Sequence, residues 1–295
     1  MEGSNKLKNK YIAKMLKAKL TNAEFDFIMC LAMRQDNQGH VSGVYYREIC
    51  KQINISYQEF YNILYALEAK GLIIRSKENY IDHEITITDN VCESKADFSE
   101  GYVHLTTMFT SDKFRKMKVG AKFIAIEMYK CATAKGGSYQ RKKKAFYEEW
   151  SNRLGVQKRS IRQYLHEIEF FFSVGSKNGN LYITPKKHAK EYTRQSETKN
   201  CAYAYVKSVC IRNKIPYSEK DKNVESVAGL IIQYQKEAAD ITRKVAACVK
   251  NSVEMINRDN PAKKTWLREL RPKFVHRLLK RMLHPDEQDV VEVIF

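Results

Sequence analysis

Apolar residues recur along this chain first at helical spacing and then in short alternation, and that order comes twice. The capping box Thr21-Asn-Ala-Glu24 opens a helix with Phe25, Ile28, Met29, Leu31 and Ala32 on its apolar side. A polar turn over 34–43 follows, then a short helix from Tyr45 to Ile53 with Ile49 and Ile53 inward. After the turn Asn54-Ile55, a second capping box, Ser56-Tyr-Gln-Glu59, starts a helix that buries Phe60, Ile63, Leu64 and Leu67 and stops at Gly71. Leu72–Arg75 and Glu84–Thr88 then alternate as strands around a polar tip near Glu78 to Asp82.

The second pass begins with a strand at Tyr102–Thr106, a short helix at Ser111–Met117 and a longer one at Val119–Ala134. A Gly136-Gly137 break and the run Arg141-Lys-Lys-Lys144 precede a helix at Phe146–Leu154. Gly155-Val156 makes the turn, and Lys158–Phe171 forms a further helix with Ile161, Leu165 and Ile168 inward. The strands Phe171–Val174 and Asn180–Thr184 are joined through Asn178-Gly179, a dipeptide suited to a tight hairpin because both residues tolerate positive φ. Beyond residue 186 the pattern is helical throughout, near 186–214, 223–239, 241–258 and 263–283, with Pro272 expected to kink or split the last helix. The tail from Asp286 to Phe295 is acidic and then apolar, and reads as a terminus or a docking peptide.

In the first pass, the stretch EICKQINISYQEFYNILYALEAKGLIIRS resembles a winged helix-turn-helix, whose compact turn presents its second helix to a groove. The expected fold is therefore mainly α with small β wings: two tandem winged helices and an all-α C-terminal domain. Residues 1–20 are read as a basic arm or a loose terminus, 21–100 as the first winged helix, 101–187 as the second, and 188–295 as the helical domain.

Charge changes this picture more than composition does. With 43% hydrophobic residues the chain can bury real cores, and its net charge of +18 implies a polyanionic partner, nucleic acid before membrane. That charge is uneven: residues 1–20 carry +5, 21–100 carry −6, 101–190 carry +13 and 191–295 carry +6. On the second recognition helix, Arg159, Arg162 and Gln163 have the chemistry to read guanine and adenine edges. Lys158 and Ser160 at its start suit phosphate, as do Arg141, Lys142, Lys143 and Lys144 ahead of the helix pair and Lys177 and Asn178 at the wing tip. The bland alternative for each group is a solvated charged face. The equivalent helix of the acidic first unit exposes Tyr57, Gln58, Tyr61, Asn62 and Tyr65, which suits a protein interface such as a dimer, stacking on unpaired bases, or completion of the core. The basic stretch from Lys263 to Met282 reads as a helix with a cationic outer face, a DNA contact or a partner surface.

Enzymatic signatures are missing. The sequence has no G-x4-G-K-[ST] phosphate loop, no H-x-H and no H-x-x-R, and its seven scattered cysteines include no CxxC pair. The expectation is thus a non-enzyme with reduced thiols, no metal, no cofactor, no membrane span and a cytoplasmic location. Two winged helices in tandem, on the element order of 21–187, resemble the replication initiators of bacterial plasmids. The resemblance implies a first unit that dimerises and touches DNA, a second that reads origin repeats, and oligomers on double-stranded DNA. The helical domain would then contact replication machinery. A transcription regulator with an oligomerising or ligand-sensing C-terminal domain is the rival reading, and a partition protein that coats DNA a third.

Overall fold

The computed structural model describes residues 5–76, 82–92, 97, 99–134, 137–190, 194–218, 220–238, 240–259 and 269–284. The chain is mainly helical with small antiparallel sheets. The expected wing tip near residues 78–81, the start of the basic stretch at 263–268 and the terminal tail lie outside the described residues.

Residues 5–20 do not form an arm. β1 (Lys6–Lys8) pairs with β5 (Tyr102–His104), and α1 (Asn9–Lys17) buries Tyr11, Ile12 and Met15. The apolar residues of this segment, interleaved with lysines, form one stripe that anchors it. The lysines flank that stripe, where Lys8 pairs with Asp97 and Lys14 with Asp89.

Next come α2 (Asn22–Ala32), β2 (His40–Val44), α3 (Tyr46–Ile53), α4 (Tyr57–Ala69), β3 (Ile73–Ser76) and β4 (His83–Ile87), the strands in the order β2-β4-β3. The Thr21 box forms in full: Glu24 N–H donates to Thr21 Oγ1 (3.2 Å) and Thr21 N–H to the Glu24 carboxylate (2.7 Å). The Ser56 cap rests on one bond, Glu59 N–H to Ser56 Oγ at 3.1 Å.

The second unit repeats the order after a short turn and α5 (Asp112–Arg115): α6 (Val119–Ala134), β6 (Tyr139–Lys142), α7 (Lys143–Leu154), α8 (Lys158–Ile168), β7 (Phe172–Lys177) and β8 (Asn180–Pro185), stranded β6-β8-β7. The turns inside the two helix pairs match. Asn54 (φ 55°) ends α3 and Gly155 (φ 65°) ends α7, both left-handed. The next residue donates back five positions in each, Ile55 to Cys50 and Val156 to Ser151, both at 3.1 Å. Asn178 (φ 50°) and Gly179 (φ 71°) make the expected hairpin turn.

One expectation needed correction here: the polar turn over 34–43 ends in β2. The run Arg141–Lys144, to which the pattern assigns no element, is ordered as well: Arg141 and Lys142 close β6, while Lys143 and Lys144 begin α7. Both missed strands are the third of their sheet, and β6 turns only Tyr139 inward, too little alternation to register.

The expected boundary near residue 100 divides elements and not cores. One apolar cluster runs from Leu7 to Ala189, with Phe25 of α2 edge-on to Phe123 of α6 at 5.1 Å. A second cluster is built by α9 (Arg194–Arg212), α10 (Asn223–Tyr234), α11 (Ile241–Asp259) and α12 (Pro272–Leu283). Pro272 is the first residue of α12, where its missing N–H costs no bond, and the earlier part of the helix expected over 263–283 lies outside the described residues. Among the described residues no helix is long and apolar enough to cross a membrane, and no cluster of His, Cys, Asp or Glu could hold a metal ion.

Candidate nucleic-acid interface

Burial of Ile161, Leu165 and Ile168 fixes the roll of α8. Lys158, Arg159, Arg162, Gln163 and His166 are left exposed, with Ser160 half-buried. The first turn of α8 holds no acidic residue and no side-chain cap, so its N–H groups add partial positive charge to Lys158 and Arg159. Arg159 and Gln163 have no ion pair or hydrogen-bond partner among the described residues. Lys158 sits 3.3 Å from Glu148, and the Arg162 guanidinium lies 5.9 Å from the Tyr147 ring, so both reach toward α7.

Strand register gathers the other cations. Lys142 of β6 and Lys177 of β7 both pair with Asn180 of β8, so they share one rung at the hairpin end of the sheet. Lys143 N–H donates to Gly179 O at 2.9 Å, which holds the start of α7 against Asn178-Gly179. Lys142, Lys143, Lys144, Lys177 and Asn178 are all exposed. From Lys143 to Glu148 along α7 is about 7.5 Å of helix rise, and Glu148 touches Lys158. The hairpin tip and the start of α8 are thereby linked through one helix. Arg141 departs from the expected clamp: its guanidinium is paired with Glu149 and ties β6 to α7.

In the first unit, Gln58 and Asn62 are exposed and bonded to each other at 3.2 Å, and Tyr57 and Tyr65 are each 55% exposed. Tyr61 is half-buried between Tyr57 (4.9 Å), Phe60 (5.2 Å) and His83 (5.9 Å). Burial, reinforced by its hydrogen bond with Tyr57, pushes its hydroxyl up to about 12. Tyr61 therefore helps complete the core, while Tyr57 and Tyr65 present the surface. The aromatic row is longer than expected. Tyr46 lies edge-on to Tyr57 at 4.9 Å and Tyr45 to Tyr46 at 5.0 Å, with Arg47 over Tyr46 and Arg75 over Tyr65. The Tyr45-Tyr46 pair at the start of α3 was the available signal.

The acidic balance of this unit has an internal cause. Glu48 lies 2.8 Å from Lys207 of α9, and Arg212 of α9 bonds both oxygens of Asp82 (2.8 and 2.9 Å) and pairs with Glu84. Burial pulls the Lys207 ammonium down, but its hydrogen bond with Glu48 and that carboxylate's charge outweigh this and raise it overall. Gly43 of β2 (φ +67°) permits the approach, since a Cβ there would stand 2.0 Å from Ser208 Cβ. Comparisons with protein-family models, with curated proteins and with solved structures found no match for this chain.

Proposed function

We propose that this protein binds double-stranded DNA in a sequence-specific way, as a replication initiator of the plasmid type built on two tandem winged helices. The second unit is the reader. α8 enters the major groove with Arg159, Arg162 and Gln163 toward base edges, while Lys158 and Ser160 at its start meet phosphate. The tip of the β7–β8 hairpin and the start of α7 hold flanking backbone through Lys142, Lys143, Lys144, Lys177 and Asn178. The observation that carries this reading is the shared rung of Lys142, Asn180 and Lys177, joined by α7 to the cationic start of α8.

The first unit has the same element order without a cationic helix face, and its exposed tyrosines suit contact between copies on DNA. The test is binding of the full chain to the DNA upstream of its own gene, at about 150 mM salt where non-specific binding is screened. Protection of directly repeated sites, and replication of a plasmid carrying them, is the expected result. Equal affinity for shuffled DNA removes the sequence-specific reading. Protection of a palindromic promoter without replication assigns the protein to transcription.

A further inference from the structure

The last helix carries a charged face that the proposed reading does not use. α12 contains no acidic residue. Val275 and Leu279 are buried against the helical core, where Leu278 and Leu283 also pack. Tyr234 Oη of α10 lies 2.7 Å from His276 Nε2, which fixes the roll of the helix. At 3.6 residues per turn, Lys273, Arg277 and Lys280 then fall within an arc of about 60°, turned away from the buried pair. All three are exposed, and none has an ion pair among the described residues.

Two cations of α9 differ, since Lys207 and Arg212 are paired with carboxylates of the first unit. Like charges at i, i+4 and i+7 repel one another, a cost that a polyanion would relieve. The three span about 10 Å of helix axis, over which one DNA strand presents about three phosphates.

We infer that α12 is a second phosphate-binding surface, which grips the DNA backbone without reading sequence and adds to the reach of the second unit. This rests on the DNA-binding reading, and the two are separable by experiment. Binding of the full chain and of the K273Q/R277Q/K280Q variant is measured on a random-sequence duplex and on the upstream DNA, between about 50 and 200 mM salt. The expected result is a slope of log affinity against log salt shallower by roughly 2–3 in the variant on both duplexes, with the ratio between them unchanged. An unchanged slope, with wild-type binding intact, overturns the inference and leaves the DNA reading standing. Loss of binding to phosphatidylglycerol vesicles with the DNA slope unchanged reassigns the face to lipid and also overturns it. Failure of the wild type to bind any duplex ends both readings. Should the triple variant melt at a lower temperature, the R277Q variant alone serves, with a slope change of about 1.

Discussion

The ammonium of Lys122 lies 2.7 and 2.8 Å from the two carboxylate oxygens of Asp26, joining α6 of the second unit to α2 of the first. Lys122 is fully buried and Asp26 nearly so. Burial outweighs the attraction between them, raising the Asp26 carboxyl and lowering the Lys122 ammonium. A raised acid contributes stability only below its unfolded value and loses it as pH rises through the folded one. A lowered base penalises the fold at pH below its folded value. Between those two values, with both groups charged, the pair is a net burden that positions the units. Lys122→Met alone strands a buried carboxylate and should cost about 3–5 kcal/mol, whereas Asp26→Leu with Lys122→Met should be neutral or stabilising. Urea unfolding at pH 7 checks this, and a double variant as unstable as the single one contradicts it.

Thiol chemistry tests the packing independently. Burial pushes Cys201 and Cys210 up to about 12, so about one thiol in 10,000 is ionised at pH 8. Cys30, Cys92 and Cys248 are buried as well, whereas Cys50 and Cys131 are half-buried. Titration of the native protein with a chromogenic disulfide should give two faster thiols, Cys50 and Cys131, and five that react only on unfolding. Rapid modification of Cys201 or Cys210 would contradict the docking of α9.

That docking rests on Arg212 together with Lys207 and the close approach of Ser208 to Gly43. Arg212 pairs with Asp82 and Glu84, which are 1% and 5% exposed, so Arg212→Met removes a cation from two buried carboxylates, while Glu84 keeps His40 and the Gly43 N–H. Gly43→Ala attacks the same seam sterically. Either substitution should speed amide hydrogen exchange in α9 and leave α8 unchanged. Equal acceleration in both helices would mean global destabilisation instead of a local seam.

Local physics made much of this molecule legible. The helix over Val119–Ala134, the Thr21 box and the Asn178-Gly179 turn follow from periodicity, capping and φ preference, all set by residues within one or two turns. The inward set of α8 was readable for the same reason, and with it the outward Arg159, Arg162 and Gln163. What stayed hidden depends on distant partners. The segment Lys6–Lys17 looks like a basic arm until Lys6 meets His104 across β1 and β5. Arg141 looks like a phosphate ligand until β6 brings it to Glu149, and the acidity of the first unit looks like a surface property until Arg212 arrives from 128 and 130 positions away.

The different fates of four adjacent cations give the sharpest test of the interface. Lys142 and Lys143 are exposed beside the hairpin tip, whereas Arg141 is committed to Glu149. Lys142→Gln and Lys143→Gln should each lower the salt slope of DNA binding by about 1, uniformly across sequences. Arg141→Gln should leave that slope unchanged and instead lower the melting temperature, because it unties β6 from α7. Arg159→Ala and Arg162→Ala should each cost about 1–3 kcal/mol on the preferred site and little on random DNA, which relaxes specificity. Anisotropy titrations on matched and shuffled duplexes separate these cases. If Arg141→Gln flattened the salt slope while Lys142→Gln did not, the backbone contact would lie on the α7 side of the sheet, and the hairpin tip would lose its assigned role.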